Sequence, residues 1–194
     1  MALFRLSPEP EGFQTLRRGG LTMRPPRIED FEAWARLRHE SRAFLVPWEP
    51  AWPPDDLTRG AFRQRLRRYG EEIRKDSAYP FLIFAGDDGP LLGGITLGQV
   101  RRGVALAGTL GYWIGVRHSR CGHMAGAVRA TLDFAFGPLG LRRVEAACLP
   151  GNRASIGLLE AAGFRREGLA REYLCIAGAW RDHLLFATLR SDQP

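Results

Sequence analysis

The spacing of apolar residues predicts a helix near the start of the chain. In residues 27–45, RIEDFEAWARLRHESRAFL, the side chains Phe31, Trp34 and Leu37 recur at intervals of three. Glu29 and Asp30 precede them and suit the positive end of a helix dipole. The pattern therefore indicates a helix that packs one apolar face on the rest of the protein.

A second amphipathic helix is expected from about Leu57 to Lys75, after a loop rich in proline and tryptophan. Asp55 or Asp56 would cap its first turn, since aspartate is a favoured N-cap residue. The arginines of this segment fall on its solvated side. The opposite, apolar face is formed by Phe62, Leu66, Tyr69 and Ile73.

Short apolar runs separated by turn residues predict strands. LTMRPP is a short strand ended by prolines, YPFLIFA is followed by the turn GDDG, and LLGGITLGQV is followed by RRGV. In AGTLGYWIGV, residues 107–116, apolar side chains alternate and glycines flank the YWI segment. Glycine within a strand often marks a place where a ligand approaches the backbone. We therefore expect this last strand to lie beside a bound group.

The second half of the chain alternates helices and strands. A helix runs through Phe136, RRVEAACL is a strand, RASIGLLEAAG is a short helix closed by Gly163, and two strands flank the turn AGAW. This order predicts an α/β fold of the α+β type, with a mixed, mostly antiparallel central sheet flanked by helices. Residues 1–20 are expected to be an N-terminal lead-in, and residues 21–194 a single domain.

Composition narrows the class of protein. The net charge of +7 could suggest nucleic acid, but the chain has a single lysine, Lys75, and its arginines are dispersed. This favours a compositional bias toward arginine, so direct binding of nucleic acid is not expected. The sequence has neither an apolar run long enough to cross a membrane nor the pattern of a signal peptide. A cytoplasmic protein without membrane contact is expected.

Neither the cysteines nor the histidines have the spacing of metal ligands. Free thiols in a reducing compartment are the simplest interpretation, and no metal site is expected. These residues are Cys121, Cys148 and Cys175, and His39, His118, His123 and His183.

The segment SRCGHM, residues 119–124, joins the glycine-flanked strand to the helix that runs through Phe136. The first N–H groups of a helix have no intrahelical acceptor and lie at its positive end, so they suit a phosphate. A single glycine in such a turn also has a simpler explanation, which is a loop that needs one. The neighbouring segments of the sequence are needed to choose between a phosphate-binding turn and a simple loop.

The order of these segments resembles the GCN5-related N-acetyltransferase (GNAT) superfamily and, within it, the RimJ/RimL group of ribosomal-protein N-terminal acetyltransferases. The strand GYWIGV and the turn SRCGHM are followed by RVEAACLPGNRASIGLLEAAGFRREG, of which LPGNRASIGLLEAAGF is the most specific part. The similarity covers about residues 21–190. It implies the GNAT fold and a transferase that uses acetyl-CoA as its co-substrate.

The resemblance also implies where acetyl-CoA would bind. The turn would hold the pyrophosphate, with Gly122 at the family's glycine position and Arg120 supplying positive charge. The strand before it would pair with the pantetheine arm, and a bulge there would expose an N–H to the thioester oxygen. The implied cofactor-binding residues are Trp113, Ile114, Gly115, Val116, Ser119, Arg120, Gly122, His123, Met124 and Asn152.

For catalysis, the resemblance points to two side chains. Ser155 would protonate or hydrogen-bond the departing thiolate, and Glu172 would act as the base or orient a water. An α-amino group has a pKa near 7.7–8.0, so roughly a tenth of it is already neutral at pH 7 and a modest base suffices. Direct transfer within a ternary complex is the expected mechanism.

The residues leave several alternatives open. Ser155 stands near a helix start, where its hydroxyl could serve only as a cap. Glu145 is a rival base, and Tyr112 or Tyr173 could supply a proton. Cys148 could carry the acetyl group covalently, but no activating partner lies near it in the sequence.

The function expected from all of this is N-acetylation of the N-terminal α-amine of a protein. In the family the acceptor is typically a small-subunit ribosomal protein with N-terminal alanine. Two alternatives remain: acetylation of a small amine or antibiotic on the same fold, and an acyl-CoA-binding or ribosome-binding module without turnover.

Overall fold

The computed structural model describes residues 15–193, which form eight strands and five α-helices. The strands are β1 Leu16–Arg18, β2 Leu21–Arg24, β3 Tyr79–Ala85, β4 Leu91–Arg101, β5 Ala107–Ile114, β6 Arg143–Cys148, β7 Arg165–Ile176 and β8 Ala179–Leu189. The helices are α1 Phe31–Glu40, α2 Arg42–Leu45, α3 Arg59–Arg74, α4 His123–Phe136 and α5 Arg153–Ala161.

All eight strands join one sheet in the order β1-β2-β3-β4-β5-β6-β8-β7. Neighbouring strands are antiparallel except for β5 and β6, which are parallel. The α4 helix supplies the crossover that a parallel pair requires. The predicted fold class, a mostly antiparallel sheet flanked by helices, is confirmed.

Two hydrophobic cores lie on opposite faces of the sheet, because side chains alternate along each strand. In β3, Phe81 and Ile83 belong to the core that contains α4, whereas Leu82 and Phe84 belong to the core that contains Trp34 of α1. The second core also includes Phe62 of α3, whose ring centroid lies 4.8 Å from that of Trp34. The predicted apolar faces of the first helices therefore pack as expected.

The sheet opens between β5 and β6. These two strands pair only at Ala107–Arg143, Gly108–Val144 and Thr109–Glu145. Beyond Thr109, no described strand pairs with this edge of β5, although β4 continues to pair with the other edge as far as Ile114. The two strands therefore diverge and leave a gap in the middle of the sheet.

The sheet also begins earlier than the sequence analysis placed it. Residues 16–18 pair with β2 through a turn at Gly19 and Gly20, whose φ angles are 53° and 78°. Glycine adopts these left-handed angles without steric cost, which allows the tight hairpin. The predicted lead-in, residues 1–20, therefore includes part of the sheet, and its residues 1–14 lie outside the described residues.

The α3 helix is capped by Thr58, not by Asp55 or Asp56. The Oγ1 atom of Thr58 accepts a hydrogen bond of 3.2 Å from the N–H of Ala61. Asp56 is engaged elsewhere, since its Oδ1 accepts a hydrogen bond of 2.6 Å from Arg65.

Candidate active site

A cavity of about 1180 Å³ fills the gap between β5 and β6. Its walls come from the divergent ends of these strands, the first turns of α4 and α5, the segment around α2, and the β7–β8 hairpin. Small-molecule sites in proteins are typically about 300–1,000 Å³, so this cavity has room for a large cofactor. We therefore take it as the candidate active site.

The turn before α4 lies on the cavity wall, and most of its main-chain N–H groups have no acceptor among the described residues. Arg120 and Gly122 both have left-handed conformations, with φ of 60° and 81°. Among the described residues, none accepts a hydrogen bond from the main-chain N–H groups of residues 120–125, and the first helical bond runs from Gly126 to the carbonyl of Gly122. A run of unpaired N–H groups at a helix start is an anion-binding feature.

Asn152 and Ser155 have different roles at the start of α5. The Oδ1 atom of Asn152 accepts a hydrogen bond of 3.1 Å from the N–H of Ser155, so Asn152 is the helix cap. The Ser155 hydroxyl does not cap this helix, which excludes the capping alternative. It lies 2.6 Å from the hydroxyl of Tyr112, on the facing strand β5.

Burial changes the acidity of two groups on this wall. It raises the pKa of Tyr112 to about 12, an effect that the hydrogen bond with Ser155 only partly offsets. Burial also raises the pKa of the Cys148 thiol, although a hydrogen bond with Ser155 acts in the opposite direction. At neutral pH, Tyr112 therefore keeps its proton and can donate it in a hydrogen bond, and Cys148 stays a thiol.

Most of the predicted cofactor-binding residues meet at this cavity. They come from three separate elements: the end of β5, the turn before α4 and the start of α5. The predicted residues on the cavity wall are Trp113, Ile114, Ser119, Arg120, Gly122, His123, Met124 and Asn152, together with the predicted catalytic residue Ser155.

Gly115 and Val116 are not on the wall, because β5 ends at Ile114. The N–H of Gly115 donates to the carbonyl of Leu92 at 2.8 Å, and that of Val116 donates to Ser41 Oγ at 3.0 Å. The bulge expected in this part of the strand is absent, since the β4–β5 register is regular from Ile114 back to Thr109. It shifts only at the other end of the pair, between Gly98 and Arg101.

Neither predicted carboxylate lies on the cavity wall. Glu172 is exposed on an irregular part of β7 with φ of 46°, and its N–H donates to Asp182 Oδ1. Glu145 is held in hydrogen bonds from Arg143 and Arg101, which outweigh burial and keep the pKa of Glu145 below its ordinary value. Glu145 is thus occupied as an ion-pair partner at the closed end of the β5–β6 pair.

The structure brings to the cavity two titratable side chains that the sequence analysis gave no role. Glu49 follows α2 and accepts hydrogen bonds from both terminal nitrogens of Arg38, each at 2.8 Å, and from Trp52 Nε1 at 2.7 Å. His183 is on β8 and is 3% exposed. No local sequence motif marks either residue, because each is brought to the cavity by the packing of elements that are distant in the sequence.

A second cavity, of about 530 Å³, lies on the face of the sheet that α1 and α3 cover. It shares Gly111, Tyr112, Trp113 and Glu49 with the first cavity. The two cavities therefore meet at a shared wall at the end of β5.

Comparison with known proteins assigns the fold to a family of acetyltransferases. The family model described as "Acetyltransferase (GNAT) domain" matches residues 20–165, which is most of the chain. The chain therefore belongs to the GNAT family and is an N-acetyltransferase. The family resemblance inferred from the sequence is confirmed.

Named relatives agree with this assignment. The chain is 37% identical to "Probable N-acetyltransferase YjcK" of Bacillus subtilis, over 88% of this chain and 94% of that protein. It is 34% identical to the "[Ribosomal protein uS5]-alanine N-acetyltransferase" of Escherichia coli, over 85% and 86% of the two chains. The solved structure of Mycobacterium smegmatis RimJ in complex with CoA-disulfide matches with a TM-score of 0.86 and 33% identity, over 93% of this chain and 88% of that one.

Within residues 15–193, no helix has the length and apolar character that a membrane crossing requires. In the same part of the chain, no three side chains of His, Cys, Asp or Glu are grouped as a metal site would need.

The raised pKa of Cys148 predicts an ordered reaction with iodoacetamide. At pH 8, Cys121 and Cys175, which are exposed, should be alkylated well before Cys148. Because a raised pKa moves thiolate formation to higher pH, the Cys148 rate should still rise above pH 9, where ordinary thiols with a pKa near 8.5 are levelling off. Mass spectrometry of peptides sampled over time measures all three rates. A Cys148 that reacts as fast as Cys121 at pH 8 would contradict this assignment.

Proposed function

We propose that this protein transfers the acetyl group of acetyl-CoA to the N-terminal α-amine of a protein, in the cytoplasm, by direct attack of the amine on the thioester. One observation carries the proposal. A single cavity joins an anion-binding turn, an unpaired strand edge and the hydroxyl pair Tyr112–Ser155. These are the features needed to hold a pyrophosphate, an extended arm and a departing thiolate.

The turn of residues 119–124 is proposed to hold the pyrophosphate. Its unpaired N–H groups and the positive end of the α4 dipole favour a negative group. The guanidinium groups of Arg120 and Arg153, both on the cavity wall, add positive charge. The relative RimJ of M. smegmatis, whose structure contains CoA-disulfide, supports a CoA site in this fold.

The pantetheine arm is proposed to run along β5 beside Trp113 and Ile114. Beyond Thr109, this edge of β5 pairs with no described strand. An extended amide chain can supply the missing hydrogen bonds, much as an added strand does. This arrangement would bring the thioester to the meeting point of the two cavities.

Ser155 is proposed to stabilise the departing thiolate. Tyr112 keeps its proton because its pKa is raised to about 12, so it can donate to Ser155 Oγ. Ser155 can then donate its own proton toward the sulfur of CoA. A positioned donor of this kind is typically worth 10²–10³-fold in rate.

Direct transfer is favoured over an acetylated Cys148. A nucleophilic cysteine has to be a thiolate, and burial raises the pKa of Cys148 instead of lowering it. Glu172, the base suggested by the family, has an exposed side chain away from the cavity wall, so in that role it would act through bridging water.

The proposed acceptor is a ribosomal protein that begins with alanine. The E. coli relative is named for alanine acetylation of ribosomal protein uS5, and the similarity spans 85% of this chain. The second cavity supports a peptide acceptor, because it offers space for residues that follow the reacting amine.

The identity of the acceptor amine is tested with two peptides that share one sequence and differ in whether the N-terminus is free or blocked. A peptide with N-terminal alanine, taken from the uS5 protein of the same organism, should gain one acetyl group on its α-amine when incubated with acetyl-CoA and the full chain. The matched peptide, with a blocked N-terminus and one internal lysine, should gain none. Mass spectrometry with fragmentation locates the acetyl group. Transfer to small amines alone would establish the small-amine alternative, and acetyl-CoA binding without any transfer would establish the non-catalytic module.

Ser155→Ala tests the role of the hydroxyl. The variant should lower kcat by about 100-fold, because the thiolate loses its donor. The Kd of acetyl-CoA, measured by calorimetry, should stay within about twofold of the wild-type value. Ser191→Ala, at an exposed serine distant from the cavity, is the matched control. A Ser155→Ala enzyme with unchanged kcat and a lower Tm would assign this residue a structural role only.

A further inference from the structure

His183 is a buried titratable group on the wall of the active-site cavity, and the chemistry proposed above does not use it. It lies on β8 and is 3% exposed. The next residue, Leu184, pairs with Cys148 at the end of β6, which is the strand that borders the gap. His183 thus stands beside the point where the two strands have separated.

The strand register places His183 on the opposite face of the sheet from Ser155. Leu184 and Phe186 belong to the core on the α4 side, as do Cys148 and Leu159 of α5. Because side chains alternate along a strand, His183 points to the other face, which α1 and α3 cover. The α5 helix that carries Ser155 packs on the α4 side. The two side chains therefore approach the gap from opposite faces.

The hydrogen bonding of His183 fixes its tautomer. Its Nδ1 lies 2.9 Å from the main-chain carbonyl of Arg181. A carbonyl can only accept, so Nδ1 carries the proton, and in the neutral ring Nε2 has a free lone pair. Among residues 15–193, no group forms a hydrogen bond with Nε2.

These observations describe a general base. The free lone pair on Nε2 can accept a proton from an amine that lies within hydrogen-bond reach. The main-chain bond at Nδ1 orients the ring and stabilises the cation that forms when Nε2 is protonated. The Tyr173 ring, whose centroid lies 5.8 Å from that of His183, packs against it at an interplanar angle of 61° and further limits its rotation.

We infer that His183 Nε2 accepts the proton of the acceptor amine, directly or through one water. This inference rests on the proposed acetyl transfer. The amine nitrogen forms a bond to the acetyl carbon, and the carbon–sulfur bond breaks with its electron pair going to sulfur. The proton lost by nitrogen goes to His183 on one face of the sheet. On the other face, Ser155 gives a proton to the thiolate and receives one from Tyr112. His183 then releases its extra proton to solvent and Tyr112 regains one from solvent, which closes the cycle.

The location of His183 distinguishes it from the family-derived base. Glu172 is exposed and does not line the cavity, whereas His183 is buried on its wall. Separation of base and acid on two faces also avoids a direct return of the proton between them.

Two variants test the role of His183. In His183→Asn, the side-chain amide can still donate to the Arg181 carbonyl, but no group remains at the Nε2 position. In His183→Gln, the amide reaches the Nε2 position but is not a base. The same change at the exposed residue, His39→Asn, is the control. The assay is acetyl transfer from acetyl-CoA to the alanine peptide, and in parallel to a small primary amine.

Both variants should lower kcat/KM for the amine at pH 7 by about 100-fold or more, which is the usual contribution of a general base. The Kd of acetyl-CoA should not change. On the acidic side of the pH profile, log kcat/KM of the wild type should rise with a slope approaching 2, because both the amine and the imidazole have to lose a proton. In the variants the slope should be 1. A merely structural role would not change this slope.

Other ionisable groups that face the same cavity set the background of the pH profile. Tyr112 and Cys148 have raised pKa values and do not lose protons below pH 6. The others on the wall or packed on His183 are Glu49, His118, Arg120, His123, Arg153, Cys175 and Tyr173. His118→Asn, measured in the same way, should keep the slope of 2.

The outcomes separate this inference from the proposed function. If the wild type is active and His183→Asn keeps both its rate and its slope, His183 is not the base. If Glu172→Gln alone changes the slope to 1, Glu172 is the base and the inference is wrong. A folded wild type that binds acetyl-CoA but acetylates no amine would overturn the proposed function, and this inference with it.

Discussion

The short pairing of β5 with β6 is the constraint on which the rest of the site depends. Three residue pairs hold the strands together at one end, anchored by ion pairs of Glu145 with Arg143 and Arg101. Past Thr109 the strands diverge, and a sheet interior with unpaired backbone groups is costly unless a ligand or water satisfies them. The open edge, the cavity and the meeting of helix starts at the gap all follow from this early divergence.

The opening gives the active site access from both faces of the sheet. On the α4 side, the unpaired turn and the Tyr112–Ser155 pair suit a cofactor with a phosphate and a thiol. On the other side, the Arg38–Glu49 ion pair forms part of the wall, with side-chain exposures of 8% and 19%. The Arg38 guanidinium also lies 4.1 Å from the Trp52 ring centroid. Removal of one partner of such a buried pair typically costs about 3–5 kcal/mol, so this wall is firmly held.

Local features could be predicted from the sequence because local physics determines them. The alternation in residues 107–114 is a property of one strand, and the unpaired N–H groups before α4 are a property of any helix start. Gly122 was identified through the family resemblance, and the structure gives it a φ of 81°, a left-handed angle that glycine adopts without steric cost. The end of β5 was placed two residues too late, because the contact of Val116 with Ser41, from a distant part of the chain, ends the strand.

Contacts between residues that are distant in the sequence could not be predicted from local sequence patterns. Ser155 was singled out through a family resemblance, but its bond to Tyr112 spans the gap and depends on the register of several strands. His183 and Glu49 reach the cavity from β8 and from the loop after α2, where nothing in the adjacent sequence marks them. The exposure of Glu172 likewise depends on an irregularity in the β7–β8 pairing between Ala170 and Leu174.

The central claim is that the unpaired turn before α4 holds the pyrophosphate of acetyl-CoA. Calorimetry of acetyl-CoA binding to Gly122→Glu and Gly103→Glu tests it most directly. Both glycines have positive φ, 81° and 68°, and open space around them, so backbone strain and added charge are matched. A carboxylate within a few ångströms of a phosphate costs ~3 kcal/mol at the effective dielectric constant of a protein surface. Gly122→Glu should therefore bind at least about 100-fold more weakly, and Gly103→Glu should bind as the wild type does. Equal affinities in two folded variants would contradict the claim and place the pyrophosphate elsewhere.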